Sequence, residues 1–62
     1  MYGSIANVHY KGTDWKFWVG CGSDSTRKEI NDIGLKKLKR LDEEHPELAV
    51  FEIVDKINDG LL

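Results

Sequence analysis

Apolar and polar side chains alternate along residues 4–10, which is the periodicity of a β-strand. Residues 15–21 concentrate aromatic and β-branched side chains and form a second predicted strand. Between them, Lys11-Gly12-Thr13-Asp14 has the composition of a turn. We predict a β-hairpin whose two-residue loop is Gly12-Thr13, because glycine at the first loop position suits a type II′ turn.

This hairpin has two chemically different faces. In the predicted pairing, Tyr10 lies opposite Trp15 and Val8 opposite Phe17, so the apolar side chains of both strands share one face. That face carries Ala6, Val8, Tyr10, Trp15, Phe17 and Val19. The other face carries Ile5, Asn7, His9, Lys16 and Trp18. Trp18 is the anomaly, since a large aromatic residue stands there among polar neighbours.

A helix is predicted to follow the hairpin. Thr26-x-x-Glu29 has the form of a capping box, and an apolar stripe with helical spacing continues to Leu41. The helix should end before Pro46, because proline disfavours helical geometry in the preceding residue. An alternative places a short strand at residues 26–30 and starts the helix near Asp32, because basic residues at a helix N-terminus oppose its dipole.

Residues 48–54 are rich in β-forming side chains and predict a third strand, bounded by Pro46 and by Asn58-Asp59-Gly60. The order strand, strand, helix, strand predicts an α+β fold: a small three-stranded, mostly antiparallel sheet (ββαβ) with one helix on one face. Residues 1–62 would form a single domain. One helix can cover only one face of that sheet.

The uncovered face is the predicted partner-binding surface. It combines Trp18 with Ile5, His9, Lys16, Val50 and Val54. Exposed apolar patches with an aromatic centre mark binding sites in soluble proteins, and tryptophan is enriched at interface hot spots. We therefore expect a protein–protein interaction module that binds a larger protein, and a homodimer formed through this face or through an edge strand.

Size and charge favour the same expectation. A chain of 62 residues buries a small core, and small domains gain stability from a disulfide, a metal or a partner. Cys21 is the single cysteine, so an intramolecular disulfide is impossible. Of the three sources of stability, a partner is the one that the sequence leaves open. The net charge of −2 disfavours nucleic acid, but the acids concentrate in the last third of the chain. Its segment Asp42, Glu43, Glu44 and Glu47 is a possible second contact.

The residues with reactive side chains do not form a catalytic group. His9 and Cys21 are predicted on opposite faces, outside the hydrogen-bond reach that a dyad needs. We expect no enzyme activity, no metal and no cofactor. The sequence has no apolar leader and no apolar run of about 20 residues, so we expect a cytoplasmic protein, in the host cytoplasm if it is viral, and no membrane contact.

An alternative function is binding of single-stranded RNA or DNA. Aromatic side chains on an open sheet can stack on bases, and Trp18 flanked by Asn7, His9 and Lys16 fits that pattern. A basic strip would then contact phosphates, and it consists of Lys36, Lys37, Lys39 and Arg40.

With its strand-strand-helix-strand order and Lys16-Phe17-Trp18, the chain resembles small phage-encoded inhibitors of host enzymes, such as the bacterial RNA polymerase inhibitors of T7-like phages. The resemblance implies an inhibitor or adaptor that acts by occluding a larger protein. It transfers no functional residue to this chain.

Overall fold

Two antiparallel strands and two helices build the protein, of which a computed structural model describes residues 2–62. The strands are β1 (Gly3–Tyr10) and β2 (Thr13–Gly20), and the helices are α1 (Arg27–Glu44) and α2 (Val50–Asn58). Both helices pack on one face of the β1–β2 hairpin, α1 mainly against β1 and α2 against β2. The architecture is therefore a two-layer α+β domain, which agrees with the predicted class.

The hairpin turn lies one residue earlier than predicted. Lys11 and Gly12 form the loop, with φ angles of 51° and 78°, and Tyr10 pairs with Thr13. Positive φ at both loop residues is the signature of a type I′ turn, whose twist matches that of the strands. Moving the loop by one residue shifts each cross-strand partner by two, so Val8 faces Trp15. The predicted pairing was wrong, but both faces keep their residues because side chains alternate with period two.

Helix α1 starts at the predicted capping box. The Thr26 hydroxyl accepts from the Glu29 backbone N–H at 3.2 Å, and the Glu29 carboxylate accepts from the Thr26 N–H at 3.2 Å. These reciprocal bonds satisfy two of the donors that a helix N-terminus leaves open. The alternative with a strand at residues 26–30 was wrong, and α1 ends before its C-cap His45.

The charges that oppose the dipole of α1 hold the helix along β1. Arg27, in the first turn, donates to the backbone carbonyl of Ile5. Asp42, in the last turn, accepts from the Tyr10 hydroxyl at 2.9 Å and pairs with the Lys11 ammonium at 2.8 Å. Helix α1 therefore runs in the same direction as β1, with a polar contact at each end.

Gly34 lets α1 lie directly on β1. A Cβ at this position would stand 2.6 Å from the Ala6 Cβ and 3.0 Å from the Val8 Cγ2. A glycine in a helix interior costs about 1 kcal/mol relative to alanine. Gly34 therefore lowers the intrinsic stability of the helix but permits the close packing of α1 on β1.

The predicted third strand is helical, and that prediction was wrong. Helix α2 buries Ile53, Val54 and Ile57, which with Val50 have the i, i+3, i+4, i+7 spacing of one helix face. The strand prediction rested on the β-forming residues at 48–54 and did not include Ile57, which completes the helical pattern. In a strand, Phe51 would lie on the face opposite Val50 and Val54, beneath the helix; in α2 it is 58% exposed.

A Schellman motif ends α2, at the residues interpreted as a strand boundary. Gly60 has φ of 75°, and its N–H donates to the Ile57 carbonyl at 3.0 Å. The next N–H, that of Leu61, donates to the Lys56 carbonyl at 2.8 Å. A left-handed glycine at this position is a common helix stop.

The core lies between the hairpin and the two helices. Its fully buried side chains are Ala6, Phe17, Val19, Leu38 and Ile53. Within residues 2–62, neither helix combines the length and apolar character needed to cross a membrane.

Candidate protein-binding surface

The hairpin face turned away from the helices, here called the open face, is accessible along its length. Its residues lie in the non-hydrogen-bonded pairs of the ladder, where facing side chains approach most closely. The pairs are Gly3–Gly20, Ile5–Trp18, Asn7–Lys16 and His9–Asp14. The open face therefore presents four adjacent side-chain pairs from the strand ends to the turn.

Trp18 and Ile5 form the apolar end of the open face. They lie directly opposite each other and are 40% and 46% exposed. The indole of Trp18 extends over Gly3, where a Cβ would overlap the ring. Trp18 thus has a structural contact on one side of its ring and remains partly exposed.

The polar end of the open face lies next to the turn. The Nδ1 of His9 and the Oδ1 of Asp14 are 2.8 Å apart, and both side chains are largely exposed. Asn7 and Lys16 form the pair between His9–Asp14 and the apolar end. The face therefore grades from apolar to charged along the hairpin.

Four of the six predicted partner-binding residues meet on the open face, namely Ile5, His9, Lys16 and Trp18. Val50 and Val54 do not, because they belong to α2. Val54 is buried and Val50 packs against the core. Asp14 was not predicted there, because it was assigned to the turn, whereas it belongs to β2 and lies opposite His9.

Of the predicted acidic contact, Asp42 is held within the domain, whereas Glu43, Glu44 and Glu47 are exposed. The Asp42 side chain is only 14% exposed, and its bonds from Lys11 and Tyr10 hold the pKa of its carboxyl below the usual value. The same bonds raise the pKa of Tyr10 and of Lys11. Two further acids have partners nearby: Glu44 pairs with Arg40 at 3.5 Å and Glu47 with His45 at 3.4 Å.

Helix side chains cap both edges of the two-stranded sheet. At the β1 edge, Asn31 accepts from the Asn7 N–H at 2.9 Å, beside the bond from Arg27 to Ile5. At the β2 edge, Asn58 accepts from the Trp18 N–H at 3.3 Å. No sequence pattern identifies these asparagines, because their role depends on where the helices dock.

A surface groove of about 600 Å³ runs along the line where the β1 edge meets α1. Its lining mixes apolar and charged side chains of both signs, including Val8, Leu35, Lys28 and Asp32. Asn31 lies within it and already bonds the strand edge. The groove shows no single chemical preference.

The predicted basic strip lies on α1, in the helical layer, and therefore apart from the Trp18 side chain. Two of its cations have partners one turn away: Lys36 pairs with Asp32 at 3.1 Å and Arg40 with Glu44. Aromatic stacking and phosphate contacts would thus fall on different layers of the molecule.

His9 and Cys21 are separated along the hairpin. His9 lies near the turn, whereas the Cys21 N–H bonds Tyr2 beyond the opposite end of the strands. The seven residue steps of extended chain from Tyr2 to His9 span about 23 Å. Within residues 2–62, no three His, Cys, Asp or Glu side chains cluster closely enough to hold a metal ion.

Comparisons with protein-family models, curated proteins and solved structures give no match to this chain. The fold and the open face therefore define only a class: a small two-layer α+β domain that exposes an aromatic sheet surface.

Proposed function

We propose that the protein is a non-enzymatic binding module that docks on a larger protein through the apolar end of its open face. It would act as a small inhibitor or adaptor that occludes the surface it covers. The observation that carries this proposal is the exposed Ile5–Trp18 pair on a sheet face that neither α1 nor α2 covers.

The energetics of this pair favour a protein partner. Tryptophan and its apolar neighbour can bury a large area with little loss of side-chain entropy, because the indole already rests on Gly3. The hydrogen-bonded pair His9–Asp14 and Lys16 would form the polar rim that surrounds such a centre.

Trp18→Thr is the direct test, because threonine suits a strand and removes the aromatic contact. Leu35→Gln is the matched control, since Leu35 is 37% exposed on α1 in the helical layer. Each variant and the wild type would be used as bait in a quantitative pull-down. We expect a set of proteins captured by the wild type and Leu35→Gln, and lost with Trp18→Thr.

Gly3→Ala tests the same contact without deleting Trp18, because the added methyl must displace the indole. We expect it to weaken capture while the fold, followed by circular dichroism, persists. Equal capture by Trp18→Thr and the wild type would refute the proposed surface.

We further propose that the free protein forms a homodimer through the open face. Light scattering across a concentration series should show the mass rising towards twice that of the chain. Trp18→Thr should stay monomeric throughout. A wild type that stays monomeric at all concentrations and salt levels would contradict this second proposal and leave the first intact.

A further inference from the structure

The helical layer is wider than the sheet that it covers. Because Gly34 places α1 directly on β1, the position of α2 is set by helix packing. Packed helices lie about 8–10 Å apart, whereas paired strands lie about 4.8 Å apart. Helix α2 therefore extends past β2, and the bond from Asn58 to the outer edge of β2 at Trp18 agrees with this.

An exposed aromatic residue lies on the overhanging side of α2. Phe51 and Asn58 are seven residues apart, which places them on the same side of the helix, about 10 Å apart. Helix α1 ends beside the turn, and only five residues separate it from α2. Because α2 ends at Trp18, it runs in the same direction as β2. Phe51 is 58% exposed and lies about three strand residues before Trp18, level with Trp15.

The adjoining stretch of the β2 edge is open. Tyr10–Thr13 is the hydrogen-bonded pair that closes the hairpin, so the backbone groups of Asp14 and Lys16 point away from β1. The bond from the Trp18 N–H to Asn58 shows the same outward direction two residues further on. Among residues 2–62, no turn or side-chain bond reaches the backbone of Asp14 or Lys16.

We propose that the β2 edge at Asp14 and Lys16, with Phe51 beneath it, binds an extended segment of a partner protein as a third strand. This inference rests on the proposed function, because it specifies how a bound protein adds to the sheet. A second copy of the chain does not fit here, since its own α2 would occupy the space of the first. A single strand fits above the overhanging helix.

Charge and polarity define the sequence of that segment. An antiparallel strand would place an acidic residue opposite Lys16 and a basic residue opposite Asp14, both on the open face. The residues between and beside them would point towards α2 and contact Phe51, and should be apolar. The matching pattern is apolar, acidic, apolar, basic, apolar.

The test is an NMR titration of the ¹⁵N-labelled protein with the end-blocked peptide Thr-Ile-Glu-Val-Lys-Ile-Thr. We expect shifts concentrated at Asp14, Lys16 and Phe51. Lys16→Pro removes the edge N–H without touching the β1 ladder, because edge positions accept proline, and should weaken binding about tenfold. Lys16→Thr keeps that N–H and should weaken binding less than about threefold, as expected for an exposed charge pair.

A peptide methylated on the backbone nitrogens of its Glu and Lys gives the same test without changing the protein. It should bind at least about tenfold more weakly than the parent. The inference is overturned if the methylated peptide binds as well as the parent, or if Lys16→Thr loses as much as Lys16→Pro. Shifts confined to the β1 edge, or no shifts at millimolar peptide, would also overturn it.

The two proposals fail separately in the pull-down. Partners retained by Lys16→Pro but lost with Trp18→Thr would refute the edge site and leave the open-face proposal standing. Partners lost with Lys16→Pro but retained by Trp18→Thr would refute the open-face proposal and leave the edge site standing.

Discussion

At the scale of single residues, glycines determine how closely the layers of this protein approach. Gly34 brings α1 onto Ala6 and Val8, and Gly3 receives the indole of Trp18. In both places the missing Cβ is replaced by a side chain from another element. The loss of helix or strand propensity at these glycines accompanies a tertiary contact.

Gly34→Ala should destabilise the protein although alanine is the better helix former. The propensity gain is about 1 kcal/mol, and forcing a methyl into a packed core costs about 1–3 kcal/mol. We expect a lower free energy of unfolding in urea. The double variant Ala6→Gly/Gly34→Ala removes the closest overlap, so Gly34→Ala should cost less in that background. Additive costs would contradict the proposed contact.

At the scale of elements, the contact of Asp42 with Tyr10 and Lys11 joins the end of α1 to the hairpin turn. The pKa of Asp42 is lowered in the folded protein, so its stabilisation is present above the unfolded value near 3.9. It is lost as the pH falls through the lower folded value. The pKa values of Tyr10 and Lys11 are raised in the folded protein. The stabilisation that these two residues contribute is therefore fully present below their unfolded pKa values and is lost as the pH rises through their folded pKa values.

Asp42→Asn should therefore lower the melting temperature most between about pH 5 and pH 9. The difference from the wild type should shrink in acid, where the wild-type carboxyl becomes protonated, and in strong base. Glu43→Gln is the control, because Glu43 is exposed on the same turn. If the melting temperatures of Asp42→Asn and the wild type differ by the same amount from acid to neutral pH, the carboxylate of Asp42 is not responsible for the difference.

The predicted and observed strands and helices together show what a sequence pattern can determine in this chain. The capping box at Thr26 and the two hairpin faces were predicted, because both depend on local spacing. Residues 48–54 were assigned wrongly, because apolar residues there fit either period, and only the buried Ile57 extends the helical one. The edge caps Asn31 and Asn58 were not predictable, since each contacts a strand more than 20 residues away.

At the scale of the whole molecule, the chain is as compact as a stable monomer of its size. Its accessible surface is 4230 Å², and a folded monomer of this mass is expected to expose about 4,100 Å². A domain of this length has a stability of about 3–9 kcal/mol. One large core substitution can therefore remove most of that stability.

Leu38→Ala should cost about 2–5 kcal/mol, because Leu38 is fully buried between the layers. We expect a variant that is largely unfolded or melts far below the wild type by circular dichroism. Leu61→Ala, at an exposed position, should change the free energy of unfolding by less than about 0.5 kcal/mol. A Leu38→Ala variant with near wild-type stability would contradict the assigned core.

The edge caps have a consequence for how the chain reaches its native state. Arg27, Asn31 and Asn58 all belong to helices, so the edge positions at Ile5, Asn7 and Trp18 are bonded only after both helices have docked. A hairpin that forms first exposes bare strand edges, which template pairing with other chains. When the protein refolds at high concentration, helix docking therefore competes with the growth of intermolecular sheets. Substitutions that slow the docking of α2 should increase aggregation and lower the yield of native protein.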